Sequence, residues 1–152
     1  CVFTKNDLER FGIFKPEFYQ IFHPYIEDRQ IIGSWLLAST YLTKYYTHTD
    51  KLKTANAKTF LYYINNTWDP EWGGETMFAN AYNEMEIAIS MKPNRVVIFD
   101  SHIPHKPAPT TVDAPSYRFS FVSQFIKVIF PIFKRKSNIP IIYFVEFCVL
   151  KY

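Results

Sequence analysis

"FLYYINNTWDPEWGGETMF", residues 60–78, decides how this chain is to be read. It opens with aromatic and aliphatic residues suited to a pleated, half-buried surface. It then breaks at Asn, Asp, Pro and a Gly pair, which are turn formers. Thr76, Met77 and Phe78 resume the strand-like pattern. Two short strands joined by an irregular turn is therefore the local expectation. Trp68 and Trp72 flank the turn and read as packing residues first and substrate contacts second.

The same pattern extends in both directions. "STYLTKYY" (39–46), "EIAIS" (86–90), "RVVIFD" (95–100) and "YRFSFVSQF" (117–125) are further short β-rich runs separated by turn residues. No long helical period lies between them, which argues against a parallel α/β sheet. The expected class is mainly β, a jelly roll preceded by short N-terminal helices. Those helices come from Phe14, Phe18, Ile21, Phe22, Tyr25 and Ile26, spaced by three and four, with Pro16 in a first turn and Pro24 ending or starting a piece.

Composition agrees with a single β-rich domain. The 152 residues are 48% apolar and 19% aromatic, with only four glycines. A net charge of +3 is too mild to imply a nucleic-acid partner. Cys1 and Cys148 form no framework and have no metal-ligand spacing. The apolar tail "IPIIYFVEFCVL" (139–150) is shorter than the roughly 20 residues a membrane helix needs. It reads as a buried or edge strand, and no membrane partner is expected. No signal peptide is visible, which favours a cytoplasmic protein, although a chain beginning at Cys1 also fits a fragment or a processed product.

The chemistry is concentrated in three places. "YYTHTDKL" (45–52) sets His48 and Asp50 two residues apart, on one face if extended. "FDSHIPHKPAP" (99–109) adds His102 and His105. "YRFS" (117–120) adds Arg118 and Ser120, again two apart. His48, Asp50 and His105 form a 2-His-1-carboxylate set, the pattern that holds non-haem Fe(II) on one face and leaves positions open. Arg118 carries a planar fork matched to a carboxylate, and with Ser120 could anchor the far end of a dicarboxylic acid. His102 falls in the turn after the strand 95–99 and reads as a solvated loop residue.

With "YYTHTDKL", the 60–78 stretch, "RVVIFDSHIPHKPAP" and "YRFSF", the chain resembles the Fe(II)/2-oxoglutarate-dependent oxygenases of the prolyl 4-hydroxylase-like branch, from about residue 40 to 125. The resemblance implies a double-stranded β-helix with iron inside one end. It implies metal ligands His48, Asp50 and His105, and a 2-oxoglutarate site with Arg118, Ser120 and Tyr63. Fe(II), 2-oxoglutarate and O₂ are the implied cofactors, with ascorbate in a supporting role. The implied reaction hydroxylates a C–H bond, a peptidyl proline being one candidate, and releases succinate and CO₂. The substrate is a protein or a small molecule, and the oligomeric state is left open. On this reading residues 1–37 are a helical support segment, 38–126 the core and 127–152 a tail of open structure, all one domain. The competing reading is a non-catalytic, cupin-like binding module of the same fold, which needs neither the triad nor Arg118.

Overall fold

In the computed structural model, residues 2–3, 10, 24, 29–50, 57–115, 117–127 and 142–146 are described. Their regular structure is almost entirely strand. The strands are β1 (Val2–Phe3), β2 (Arg29–Ser39), β3 (Ala57–Tyr63), β4 (Thr76–Ala79), β5 (Met85–Ile89), β6 (Arg95–Asp100), β7 (His105–Pro107), β8 (Arg118–Lys127) and β9 (Ile142–Glu146). All pairings are antiparallel. β1-β2-β8-β3-β6-β9 form a six-stranded sheet and β5-β4-β7 a three-stranded one. This is the expected jelly roll.

The core lies between the two sheets. Leu61 and Tyr63 of β3, Val97 and Phe99 of β6 and Val122 of β8 meet Phe78 of β4 and Ile89 of β5, with Met91 and Ile103 closing the cluster. Burial of this apolar surface, at about 25 cal/mol per Å², is the main force holding the sheets together. In β6 the four residues Val96–Phe99 are at most 1% exposed, so this strand is covered on both faces. That explains its continuous apolar run.

Two segments differ from the sequence expectation. The large sheet takes in residues well upstream of residue 38, because β1 and most of β2 lie inside the stretch assigned to helical support. A register shift between Ile31 and Gly33 changes the phase of the side chains midway along β2. The strand therefore lacks a clean alternation over its length. "STYLTKYY" is not a strand beyond Ser39. Thr40 and Thr43 close a turn there, with Thr43 N–H donating to Thr40 O (3.0 Å) and Thr40 N–H to Thr43 Oγ1 (2.9 Å). Such local hydroxyl bonds compete with a ladder despite the β-branched composition.

The helical positions expected over 14–26 lie outside the described residues, except Pro24, which is helical. In the tail, β9 is the edge strand beside β6, in register Val97↔Phe144. No helix among the described residues is long and apolar enough to cross a membrane.

Candidate metal and co-substrate site

The segment carrying His48 docks on the small sheet. His48 N–H donates to His105 O (3.0 Å) and His105 N–H to His48 O (2.8 Å), a single antiparallel bridge beside β7. A mutually bonded pair of this kind sends both side chains to one face. The two rings lie 4.5 Å apart, centroid to centroid. Asp50 is fixed two residues later, its N–H donating to Ser101 O (3.0 Å). His48, Asp50 and His105 thus offer three ligand atoms, all within 4.8 Å of one another.

The imidazoles are oriented from behind. His48 Nδ1 lies 2.9 Å from Tyr46 O, and His105 Nδ1 lies 2.9 Å from Ile103 O. A carbonyl only accepts, so Nδ1 carries the proton in each neutral ring and the Nε2 lone pair is free. Each Nε2 is 4.0 Å from an oxygen of Asp50, too far for a hydrogen bond. Burial pushes the His105 imidazole below its ordinary value, and His48 adds to this. The Ile103 carbonyl and the Asp50 charge oppose it. His105 is therefore a neutral donor at pH 7. Phe99 packs edge-on against its ring at 4.7 Å. Two imidazoles and one carboxylate, with the lone pairs turned to one space, suit Fe(II) by donor chemistry.

A cleft of about 470 Å³, its open mouth included, joins these residues to Arg118. Trp35, Leu37, Leu61, Phe99 and Val122 give it apolar walls, and Thr59, Thr76 and Ser120 supply hydroxyls. Arg118 is 1% exposed and has no ion pair among the described residues. It is held by three hydrogen bonds, from Nε to Gly74 O (2.7 Å), from Nη2 to Thr76 Oγ1 (3.0 Å) and from Nη1 to Ser120 Oγ (3.3 Å). The Tyr63 ring lies beneath the guanidinium, 5.0 Å from its centre. A buried cation without an anion is costly, and its remaining N–H groups fit a carboxylate entering the cleft.

The turn at 65–75 builds this mount. Asp69 caps the short helix Pro70–Trp72 by accepting from Glu71 N–H (2.9 Å), and Trp68 Nε1 donates to Gly73 O (3.0 Å). Gly74 then adopts φ +80°, where a Cβ would stand 2.9 Å from Arg118 Cδ. Only glycine lets the backbone approach Arg118 this closely. Asn65 clasps the start of β8, donating to Tyr117 O (2.8 Å) and accepting from Phe119 N–H (2.7 Å).

Tyr63 is fully buried and does not line the cleft; its hydroxyl meets Thr76 Oγ1 at 2.7 Å. Arg118 can only donate, so Thr76 accepts from it. Thr76 Oγ1 thus joins the Tyr63 hydroxyl to the guanidinium. His102 is exposed in the turn after β6 and away from the cleft. Thr59, Thr76 and Gly74 were not singled out from the sequence. For the two threonines the available signal was strand spacing: Thr59 shares a face with Leu61 and Tyr63, and Thr76 opens β4 after the Gly pair.

Residues 36–125 match the family model of the 2OG-Fe(II) oxygenase superfamily, where 2OG is 2-oxoglutarate. The chain belongs to that superfamily. That superfamily is one of Fe(II)- and 2-oxoglutarate-dependent oxygenases. Among solved structures it is similar to a prolyl-4-hydroxylase from Pseudomonas putida, with a TM-score of 0.55 and 15% identity. The match covers 78% of this chain and 64% of that one, so the chain spans less than two thirds of that enzyme's length. At this identity the likeness is one of fold. No curated protein matches the sequence.

Proposed function

We propose that the protein is an Fe(II)- and 2-oxoglutarate-dependent dioxygenase that hydroxylates a C–H bond of its substrate. His48, Asp50 and His105 are the metal ligands on this reading, through two Nε2 atoms and a carboxylate oxygen. Arg118, with Ser120 and the Thr76 hydroxyl, receives the far carboxylate of 2-oxoglutarate. Tyr63 acts beneath them by holding Thr76 and the guanidinium. The observation that carries the proposal is the pairing of two incomplete sites in one cleft. A buried Arg118 without an anion faces the same space as three convergent ligand atoms.

The bound group supplies the oxidising chemistry: one atom of O₂ enters succinate as 2-oxoglutarate loses CO₂, and the other enters the substrate as a hydroxyl. The chain's own residues bind, orient and shield. The Tyr46 and Ile103 carbonyls fix the imidazole tautomers. Trp35, Leu37, Leu61, Phe99 and Val122 keep water from the reacting centre. A peptidyl proline is the first substrate to test, in view of the prolyl-4-hydroxylase fold. The test incubates the protein with Fe(II), 2-oxoglutarate and proline-containing peptides under isotopically labelled O₂. A peptide that gains one labelled oxygen supports the proposal. Succinate formation with no labelled peptide redirects the search to another substrate. Absence of both overturns the proposal in favour of a binding module.

A further inference from the structure

The carboxylate of Asp50 has a partner that the metal reading does not use. Its Oδ2 accepts from Thr59 Oγ1, and Thr59 Oγ1 lies 2.8 Å from Ser101 Oγ. Thr59 is 1% exposed and Ser101 is fully buried, so both hydroxyls find these partners within the fold. An ionised carboxylate only accepts, so the single Thr59 proton goes to Asp50. The Ser101 proton then has Thr59 as its acceptor. The chain of donors runs in one direction, from Ser101 to Thr59 to Asp50. The backbone closes the same loop, since Ser101 O accepts from Asp50 N–H (3.0 Å) and Ser101 N–H donates to Ala57 O (3.1 Å). Asp50 Oδ1, 4.0 Å from His48 Nε2, is left without a hydrogen-bond donor among the described residues.

We infer that Thr59, backed by Ser101, is a positioning residue that locks the Asp50 carboxylate with one oxygen turned to the metal. The inference rests on the proposed assignment of Asp50 as a ligand. A carboxylate at the end of a short side chain rotates freely unless a donor fixes its plane. Hydrogen-bond partners that orient a ligand in this way typically contribute about ten- to a hundredfold in metal affinity. Thr59 stands on β3, a central strand of the large sheet flanked by β8 and β6, so it carries the rigidity of that sheet to a ligand borne by a loop segment. The two hydroxyls in series also polarise one another, which strengthens the bond to Asp50.

The test measures Mn(II) affinity by calorimetry, with no turnover involved. Thr59→Val keeps the shape and removes the donor, and should weaken Mn(II) binding about ten- to a hundredfold. Thr59→Ser restores the hydroxyl and should recover most of the affinity. Ser101→Ala leaves the Thr59 proton in place and should cost less than Thr59→Val. Thermal unfolding of the metal-free variants separates a positioning role from general damage. If Thr59→Val unfolds, Thr59→Ser and Ser101→Ala still decide the matter. Equal affinity in wild type and Thr59→Val, or no ordering among the folded variants, overturns the inference. Absence of Mn(II) binding by the wild type would instead overturn the assignment of Asp50 as a ligand.

Discussion

Arg118 shows what one side chain contributes that its charge alone does not. Lysine in its place keeps the charge but loses the planar fork and the bonds to Gly74, Thr76 and Ser120. Arg118→Lys is expected to raise the KM for 2-oxoglutarate while iron content is unchanged. A charged hydrogen bond of this kind contributes about 1.5–3 kcal/mol, roughly ten- to a hundredfold or somewhat more. Steady-state kinetics beside a metal assay check both halves. An unchanged KM would place the anchor elsewhere; Lys58 is already paired with Asp100, and Lys106 does not line the cleft. His105 gives a second test at this scale. Burial lowers its folded value, so as pH falls the unfolded chain takes up the proton first. The stability at stake is fully present above the ordinary histidine value of about 6.5 and is lost as pH falls through the lower folded value. Urea unfolding of the metal-free protein should therefore show a midpoint that drops from about pH 7.5 to about pH 5.5. The drop should be smaller in His105→Gln, and equal drops would contradict the assigned burial effect.

At the scale of elements, the turn between β3 and β4 is the piece on which the co-substrate side depends. Gly74→Ala forces a residue with a side chain to φ +80° and sets its Cβ against Arg118 Cδ. We expect a stability loss of about 1–2 kcal/mol together with a raised 2-oxoglutarate KM, read by thermal unfolding and kinetics. Loss of stability without a change in KM would mean that the carbonyl of residue 74 does not set the guanidinium. This turn was legible in the sequence because Asp69, Pro70 and the Gly pair each have a local conformational reason to be there. The candidate ligand set was legible because His48, Asp50 and His105 are chemically distinctive at their spacing. β2 was not, since the bulge at Ile31–Gly33 interrupts its alternation and the helical spacing just upstream dominates the pattern. β7 was not either, being three residues ending in proline, too short to show any period. Thr59 and Thr76 are ordinary strand residues by composition. Their roles come from what the fold sets opposite them, Asp50 in one case and Arg118 in the other.

For the molecule as a whole, the two sheets have separate shares in the site. The small sheet brings His105 through β7 and captures His48 beside it, while the large sheet brings Arg118 and Ser120 on β8 and Thr59 on β3. A site assembled across the sandwich is as firm as the core between the sheets, and a ligand bound only by the folded state adds to that stability by mass action. The central claim is that His48, Asp50 and His105 hold iron for 2-oxoglutarate turnover. It is tested most directly by measuring succinate released from 2-oxoglutarate with and without Fe(II). The wild-type protein and His102→Ala, altered only in an exposed turn, should release succinate in an iron-dependent manner that chelation abolishes. The His48→Ala, Asp50→Ala double variant should release none above background. Full succinate release by the double variant, or none by the wild type with Fe(II), would contradict the account.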